Sequence, residues 1–373
     1  MTPTLADCLD RRSNDLAAVR IIAAAAVLWA HAWVVTTPDL KTADFMHVFG
    51  FSLDFHGVHA FFILSGMLLA RSYMTRPDAL RFVVARLMRY LPGIFVSTAI
   101  AALVIGPLVT RLPLEAYFAD GAPFRFIAAV TSLIDINATL PATLDQGAEP
   151  NTLYIPLWTV RYELVFAICL AIAGALGLVG RRALTLAALV ATLAVNVVWF
   201  WNGEAAHLDL GSPHHLVRFT SAFGIGIALA TFADRIPVSK RLFGLVAAVA
   251  VPLAFTPLAA LAGMALIAYA IVVIGFARPP LAGALARLGT WSYGFYVSGF
   301  LIEQCLVHAA PSLNAVGVFV LAFPLALAAG WLSWRYVEAP SIALVNPITG
   351  AIARRLPWRD GAVDPMPDRP TNR

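Results

Sequence analysis

The chain has 373 residues, of which 60% are hydrophobic and 13% are charged, and its mean hydropathy is +0.79. This composition excludes an ordinary soluble enzyme and predicts an integral membrane protein with several spans. The formal net charge of +5 does not indicate nucleic-acid binding, because the basic residues lie between apolar runs, where membrane topology accounts for them. The three cysteines lack metal-ligand spacing, so we expect neither a disulfide framework nor a metal site; they are Cys8, Cys169 and Cys305.

A scan for apolar stretches of about 19 residues predicts ten transmembrane helices and therefore an all-α membrane fold. The least certain boundary separates the seventh and eighth spans, where Pro252 and Pro257 interrupt a run that is also compatible with one broken helix. The predicted spans are 16–35, 56–74, 92–110, 155–178, 183–201, 214–233, 243–258, 259–277, 288–309 and 313–334.

The distribution of basic residues predicts the orientation of these spans. Twenty of the 26 Lys and Arg residues fall on the side that holds the N-terminus, three fall on the other side and three fall inside spans. This bias predicts that both termini are cytoplasmic. A cleavable signal peptide is the alternative for the first span, because Arg11 and Arg12 precede an apolar run and residues 30–32 suit a cleavage site. Arg20 and the apolar residues that continue to Val35 favour a retained helix.

Residues 1–345 are predicted to form a single membrane domain, and residues 346–373 a cytoplasmic tail that is disordered at its Pro- and Asp-rich end. The inner segment 71–91 carries five arginines, and the outer segment 111–154 carries five acidic residues. A loop as long as the outer segment is usually functional or disordered. Its apolar part, 124–133, is predicted to lie on the membrane surface as a short helix.

The first span carries two ionisable side chains, Arg20 and His31. Eleven residues separate them, and at ~100° per residue this spacing returns both to nearly the same face of a helix. Ionisable groups inside a membrane span are costly and usually mark function. The alternative is that Arg20 reaches the inner headgroups and His31 only ends the helix. The pair on one face favours a functional site.

Depth estimates place several ionisable side chains of four spans in one layer nearer the outer surface. An arginine and a glutamate at one depth would keep His31 neutral and oriented, as a general base requires. Buried ion pairs that hold the helices together are the alternative. The predicted layer contains His31, Arg161, Glu163, Arg218 and Glu303, with Ser65 nearer the midplane.

Arg86 and Arg89 are three residues apart and therefore share one face of a helix that leads into the third span. Guanidinium groups at this spacing suit an anionic phosphate ligand. The alternative is an anchor on anionic lipid at the cytoplasmic surface.

Six segments together resemble acyltransferase family 3, integral membrane O-acyltransferases that modify surface polysaccharides and other glycans. The resemblance covers about residues 14–342. The matching segments are Arg20-x10-His31, 57–66 (GVHAFFILSG), 86–92 (RLMRYLP), 156–166 (PLWTVRYELVF), 288–296 (LGTWSYGFY) and 334–340 (WRYVEAP). Three positions depart from the family pattern: His59 stands where an acidic residue is frequent, Gly299 stands where a histidine is frequent, and Asp15 lies five residues before Arg20, where an acid three residues before is usual.

The resemblance implies a reaction in which an acyl group, commonly acetyl from cytoplasmic acetyl-CoA, is placed on a glycan hydroxyl. It implies that His31 is the catalytic base, that Arg20 supports His31 or the donor, and that Arg86 and Arg89 hold CoA phosphates. The remaining motif positions are Ser65, Glu163 and Glu338, the first two assigned to catalysis, and Trp158, Arg161 and Tyr162, assigned to substrate binding.

The expected partners are the bilayer of a bacterial inner membrane, acyl-CoA as co-substrate and a glycan acceptor, with no permanently bound cofactor, metal or nucleic acid. Transfer is expected to be direct or relayed, with Ser65 as a covalent acyl carrier in the second case. A transporter or flippase for a lipid-linked sugar is the alternative function, because ten spans with charges inside the membrane also suit transport. A non-catalytic membrane subunit is the third possibility.

Overall fold

The computed structural model describes residues 2–9, 14–37, 47–201, 213–276 and 288–355, and for residues 200 and 201 it describes the backbone only. Regular structure in these ranges is helical, apart from two isolated β-bridges. The helices are α1 Leu5–Leu9, α2 Leu16–Thr36, α3 Leu53–Thr75, α4 Ala79–Ile100, α5 Gly106–Val109, α6 Leu114–Phe118, α7 Ala122–Thr131, α8 Leu157–Ala175, α9 Arg182–Trp201, α10 Pro213–Thr231, α11 Lys240–Leu253, α12 Ala259–Phe276, α13 Ser292–Ala309, α14 Ala315–Ser333, α15 Ala339–Ala343 and α16 Val345–Ala353.

A helix occupies each of the ten predicted positions. Seven helices among the described residues are long and apolar enough to cross a membrane; they are Leu16–Thr36, Leu53–Thr75, Ala79–Val109, Leu157–Ala175, Arg182–Trp199, Ala259–Phe276 and Ala315–Ala353. The remaining three positions hold α10, α11 and α13. The all-helical membrane fold is thereby confirmed, whereas the number ten and the cytoplasmic termini stay predictions.

The seventh and eighth predicted spans are separate helices, α11 and α12. A break at residues 254–258 separates them, and the two helices pack against each other. Pro252 lies in the last turn of α11, where it cannot donate the usual backbone hydrogen bond and so favours the end of the helix. With 14 residues, α11 spans only about 21 Å, which is less than the thickness of a bilayer core.

The predicted arginine-rich loop 71–91 is almost entirely helical, which corrects the sequence interpretation. The α3 helix continues to Thr75, and α4 begins at Ala79, thirteen residues before the predicted start of the third span. The Asp78 side chain accepts a hydrogen bond from the Arg81 backbone N–H at 2.9 Å and so caps α4. Arginine is a good helix former, so the arginines extend the membrane helix instead of interrupting it.

Helices α3 and α10 pack with their backbones in close contact. A Cβ on Gly226 would lie 2.1 Å from the Ile63 carbonyl oxygen, and a Cβ on Gly66 would lie 2.1 Å from the Phe223 carbonyl oxygen. The rings of Phe62 and Phe219 stack beside this crossing, with centroids 4.2 Å apart. Small residues that let two backbones touch are the usual means of packing helices in membranes.

The α4 helix ends in a π-helical turn, Ala101–Ile105, before α5. A π-helical turn leaves a backbone carbonyl without its usual partner, and here the buried Tyr117 hydroxyl donates to the Ala102 carbonyl at 2.8 Å. The predicted surface helix is present as α7, and it packs against α4 through Phe126, Ile127 and Val130.

The outer segment folds back into the bundle before α8 begins. The Ala148 N–H donates to the Val35 carbonyl at the end of α2, and the Gln304 amide of α13 donates to the carbonyls of Glu149 and Thr152 at 2.6 and 2.7 Å. Tyr154, three residues before α8, is 1% exposed. The first turn of α8 is therefore buried among neighbouring helices instead of lying at the membrane surface.

Candidate active site

A cavity of about 340 Å³ lies between α2, α3, α4, α8 and α13, toward the end of the bundle that is predicted to face the cytoplasm. Three arginines and a glutamate contribute most of its charge. The polar side chains that line it are Arg20, Ser65, Arg86, Arg89, Tyr90, Thr159, Glu163, Thr290, Ser292, Tyr293 and Tyr296. The structure thus brings together five of the nine predicted site residues, from four helices.

Glu163 anchors a hydrogen-bonded group at one wall of this cavity. The Ser65 hydroxyl donates to the Glu163 carboxylate, and the Tyr90 hydroxyl also bonds to it. Tyr293 donates to the Tyr90 backbone carbonyl at 2.7 Å and so holds α13 against α4. The Glu163 carboxylate therefore orients two hydroxyl groups that face the cavity.

Arg89 is held by a buried carboxylate behind it. Its Nη1 lies 2.6 Å from Oε2 of Glu338, which is fully buried and also accepts a hydrogen bond from the Ser333 hydroxyl at 2.8 Å. The Arg89 guanidinium also lies over two rings, 5.4 Å from the Tyr293 centroid and 5.3 Å from the Trp334 centroid. The guanidinium is fixed in position, and its charge is largely balanced by Glu338.

Arg20 and Arg86 have fewer protein partners than Arg89. Within the described part of the chain, Arg20 forms no hydrogen bond and no ion pair within 4.0 Å, although it lies near Glu163, Arg86 and Arg89. The buried Nε of Arg86 has no hydrogen-bond acceptor in the ranges that the structure describes. The cavity therefore has unused guanidinium donors and more positive than negative charge, which suits an anionic ligand.

His31 lies outside this cavity, so the predicted chamber shared by His31, Arg20 and Glu163 is not present. His31 is eleven residues beyond Arg20 on α2, about 16 Å further along the helix, and the described residues that line the cavity do not include it. Its half-buried ring packs edge-on against Phe300 with centroids 5.3 Å apart. The charge of Asp54, in the first turn of α3, acts on the ring.

The ionisable side chains of the predicted layer occupy separate environments and do not form one site. Glu163 lies deeper than expected, beside Ser65, since the outer segment is folded inward and α8 starts below the surface. Glu303 is fully buried in α13, and no described residue forms a hydrogen bond with its carboxylate oxygens. Arg218 is fully buried among aromatic rings.

The three residues predicted to bind substrate do not line the cavity. Arg161 is exposed, and its Nη2 donates to the Ile134 carbonyl at 3.1 Å. Trp158 packs on Phe219 and lies 5.9 Å from the Arg218 guanidinium carbon, and the Tyr162 ring lies 5.4 Å from that of Phe219. Trp158 and Tyr162 thus belong to the aromatic surroundings of Arg218.

Sequence reasoning missed several residues that complete these two regions. Tyr90 follows Arg89 directly in the 86–92 segment, so its position in the motif was a usable signal. Tyr293 lies in the 288–296 segment and was likewise quoted without a role. Asp54 had no such signal, because an acidic residue in the first turn of a helix is common for reasons of helix stability alone.

The described residues contain no group of three or more His, Cys, Asp or Glu side chains that could hold a metal ion. A family model described as an acyltransferase domain matches residues 13–335. The chain belongs to acyltransferase family 3. Membership confirms the resemblance drawn from the six segments and supports acyl transfer at a membrane as the activity.

Similarity extends to a curated family 3 protein. The chain is 28% identical over 376 residues to Nodulation protein 10 of Rhizobium leguminosarum bv. viciae, and the match covers 92% of this chain and 96% of that protein. No solved structure matches the chain. Neither match supports the transporter alternative.

The family 3 departure at Gly299 has a packing explanation. A Cβ at this position of α13 would lie 2.8 Å from the Leu28 side chain of α2. A histidine at this position would require the Leu28 side chain to move aside. The second departure, His59, is fully buried close to Arg218.

Proposed function

We propose that the protein is an O-acyltransferase that moves an acyl group, acetyl in the simplest case, from acyl-CoA to a hydroxyl of a surface or exported glycan, such as an exopolysaccharide or O-antigen. The bacterial inner membrane is the expected location, because cytoplasmic acyl-CoA and an exported acceptor meet there. The observation that carries the proposal is the cavity in which Arg20, Arg86 and Arg89 converge in a chain of family 3.

The cavity supports a binding site for the phosphates of the donor. Arg86 and Arg20 have unused N–H donors, and Arg89 is held in place by Glu338. Planar guanidinium groups bind phosphate oxygens in pairs, and a buried site strengthens such contacts. We therefore assign Arg86 and Arg89 to the CoA phosphates, with Arg20 supporting the donor instead of His31.

In this proposal the pantetheine arm extends from the arginines along α2 and brings the thioester to His31. The separation of about 16 Å between Arg20 and His31 along the helix suits such an extended arm. His31 removes the proton from the acceptor hydroxyl, and the oxygen attacks the thioester carbonyl carbon. The carbon–sulfur bond breaks, and CoA leaves as the thiolate and takes up the proton from His31.

A relay through Ser65 is the second mechanism, and the hydrogen bond from the Ser65 hydroxyl to Glu163 favours it. In the relay, Ser65 attacks the thioester while Glu163 accepts its proton, and an acyl-Ser65 ester forms. Incubation with acetyl-CoA in the absence of acceptor, followed by peptide mass spectrometry, separates the two mechanisms. The relay predicts an acetylated peptide that contains Ser65, and direct transfer predicts none.

Purified protein in lipid nanodiscs tests the proposed function. We expect it to bind CoA and acetyl-CoA and to release CoA faster when a glycan acceptor is added. His31→Ala should retain donor binding but lose transfer by about 10²- to 10⁴-fold, the usual contribution of a general base. His47→Ala, a change at an exposed histidine, is the matched control and should transfer at the normal rate.

Two results would contradict this proposal. Absence of any CoA binding by the wild-type protein would remove the donor assignment. A folded His31→Ala protein with the wild-type transfer rate would remove the assignment of the base.

A further inference from the structure

Arg218 of α10 is an unusual buried cation. Its side chain has no solvent exposure, and none of its three guanidinium nitrogens has a hydrogen-bond acceptor among the described residues. Its Cζ lies 3.8 Å from the centroid of the Phe55 ring and 4.5 Å from that of Phe219. These rings stabilise the charge through cation–π contacts, but they leave all five N–H donors unused.

His59 and Asp54 lie in the same region and also have unused hydrogen-bonding capacity. His59 is fully buried, and its ring packs against Phe51 with centroids 4.9 Å apart. Neither of its ring nitrogens has a hydrogen-bond partner in the described part of the chain. Asp54 is 7% exposed and accepts a hydrogen bond from the Ser52 hydroxyl. Buried polar groups are nearly always partnered in proteins, so this cluster has hydrogen-bonding capacity that the described chain does not use.

The cluster lies at the same end of the bundle as His31. Asp54 is the second residue of α3 and Arg218 is the sixth of α10, while His31 is the sixth residue from the end of α2. Each is therefore within about 8 Å of a helix end, at the end opposite the arginine cavity. The charge of Asp54 acts on both Arg218 and His31, so the carboxylate lies in the neighbourhood of both.

The chemistry of the cluster selects the class of ligand. A guanidinium supplies donors, a carboxylate supplies acceptors, and an imidazole supplies one of each. A free anion would be repelled by Asp54, and a free cation would be repelled by Arg218. A neutral ring with several hydroxyl groups and apolar faces satisfies both charges and packs against the aromatic walls.

We propose that Arg218, Asp54 and His59 form the acceptor subsite, which binds a sugar ring through its hydroxyls and presents one hydroxyl to His31. This inference rests on the proposed function. It assigns the acceptor to the end of the bundle opposite the donor phosphates, and Trp158 becomes one wall of the subsite, 5.9 Å from the Arg218 guanidinium carbon.

A purely structural role for Arg218 makes a different prediction. Among the described residues Arg218 has no ion-pair partner within 4.0 Å, so replacing it by an apolar side chain of similar size removes a costly buried charge without breaking a close ion pair. Arg218→Met should therefore give a folded protein whether Arg218 has a structural role or binds the acceptor. A loss of acceptor recognition is expected only if Arg218 binds the acceptor. Arg218→Lys keeps the charge but removes the planar fork, and it provides a second variant.

The probes are the methyl glycosides of glucose, galactose and N-acetylglucosamine, used as acceptors with acetyl-CoA. For Arg218→Met we expect donor KM to stay close to the wild-type value and acceptor KM to rise by about tenfold or more, as loss of charged hydrogen bonds produces. Arg125→Met is the matched control. Arg125 is exposed on α7, bonds to the Asp120 carbonyl, and should leave both values unchanged.

An unchanged acceptor KM in folded Arg218→Met would overturn the subsite. If Arg218→Met does not fold, Arg218→Lys and Asp54→Asn are tested in its place. Normal acceptor KM values in both of these variants would overturn the subsite. Calorimetric titration of the wild-type protein with the same glycosides, without donor, separates this inference from the proposed function. Glycoside binding without acyl transfer leaves the subsite standing and removes the proposed function, whereas absence of binding by all three probes removes the subsite.

Discussion

Arg86 and Arg89 lie one helical turn apart on α4, and the structure gives them different surroundings. Arg89 is tied to the buried Glu338 carboxylate, whereas the Nε of Arg86 is buried without an acceptor. Both line the same cavity, so both are available to a ligand. The two residues therefore offer a direct comparison between a binding role and a combined binding and structural role.

Arg86→Met should weaken CoA binding by about tenfold, because a charged hydrogen bond is lost, with little change in stability. Arg89→Met should weaken binding and also lower the free energy of unfolding by about 3 kcal/mol, because Glu338 is left as a buried, uncompensated charge. Titration with CoA and thermal unfolding of the purified variants measure the two effects.

The double variant Arg89→Met/Glu338→Met is the control for this comparison. It removes both charges and should recover most of the lost stability without recovering CoA binding. Equal losses of stability in Arg86→Met and Arg89→Met would show that the pair with Glu338 has no special structural importance.

At the scale of elements, the crossing of α3 and α10 determines the position of both functional regions. Gly66 follows Ser65 directly, and its backbone touches that of α10 near Gly226. The same two helices carry Asp54, His59 and Arg218 further toward the other end. A shift at this crossing would therefore displace the donor cavity and the Arg218 cluster together.

Gly226→Ala should destabilise the protein by about 1–3 kcal/mol, the usual cost of overpacking, because the new methyl group meets the rigid backbone of Ile63 at 2.1 Å. The same substitution at Gly244, where no atom lies within 4 Å of the new Cβ, is the matched control. Gly244→Ala should be neutral or slightly stabilising, because alanine favours the helix. Thermal unfolding in detergent measures both, and equal midpoints would contradict a tight crossing.

At the scale of the whole molecule, helices surrounded by protein differ in composition from helices that face lipid. The α10 helix buries His215, Arg218 and Ser221, and α13 buries Glu303 and Gln304. Polar side chains in the interior of a bundle lower the hydropathy of a helix without preventing it from spanning the membrane. This explains why α10 and α13 are absent from the seven helices that are apolar enough by composition, although both lie at predicted spans.

Reporter fusions test the predicted topology. Fused green fluorescent protein should fluoresce after Arg373 and after Arg76, because both positions are predicted to be cytoplasmic, and alkaline phosphatase should be active only after Leu112. An odd number of spans would reverse the result at Arg373 while leaving those at Arg76 and Leu112 unchanged. Active phosphatase at Arg76 would instead overturn the orientation of the whole bundle.

The sequence by itself determined the class of protein, the positions of its long helices and the family, because hydropathy and short motifs are local properties. It also predicted correctly that Arg86 and Arg89 share a helix face, since three residues make nearly one turn. The sequence could not predict the depth of a side chain in the bundle or its neighbours on other helices. The estimated depth of Glu163 failed because the outer segment folds into the bundle, where Gln304 bonds to it, and this contact joins residues far apart in the chain.

Only the tertiary structure decided which charged groups meet. It places Arg20 in one cavity with Ser65 and Glu163 and leaves His31 outside that cavity. It also surrounds Arg218 with the rings of Phe55 and Phe219. These outcomes depend on how far each helix slides and turns against its neighbours. Backbone contacts such as the glycine crossing of α3 and α10 fix the position of each helix relative to its neighbours. The pattern of residues within a single segment does not encode these contacts.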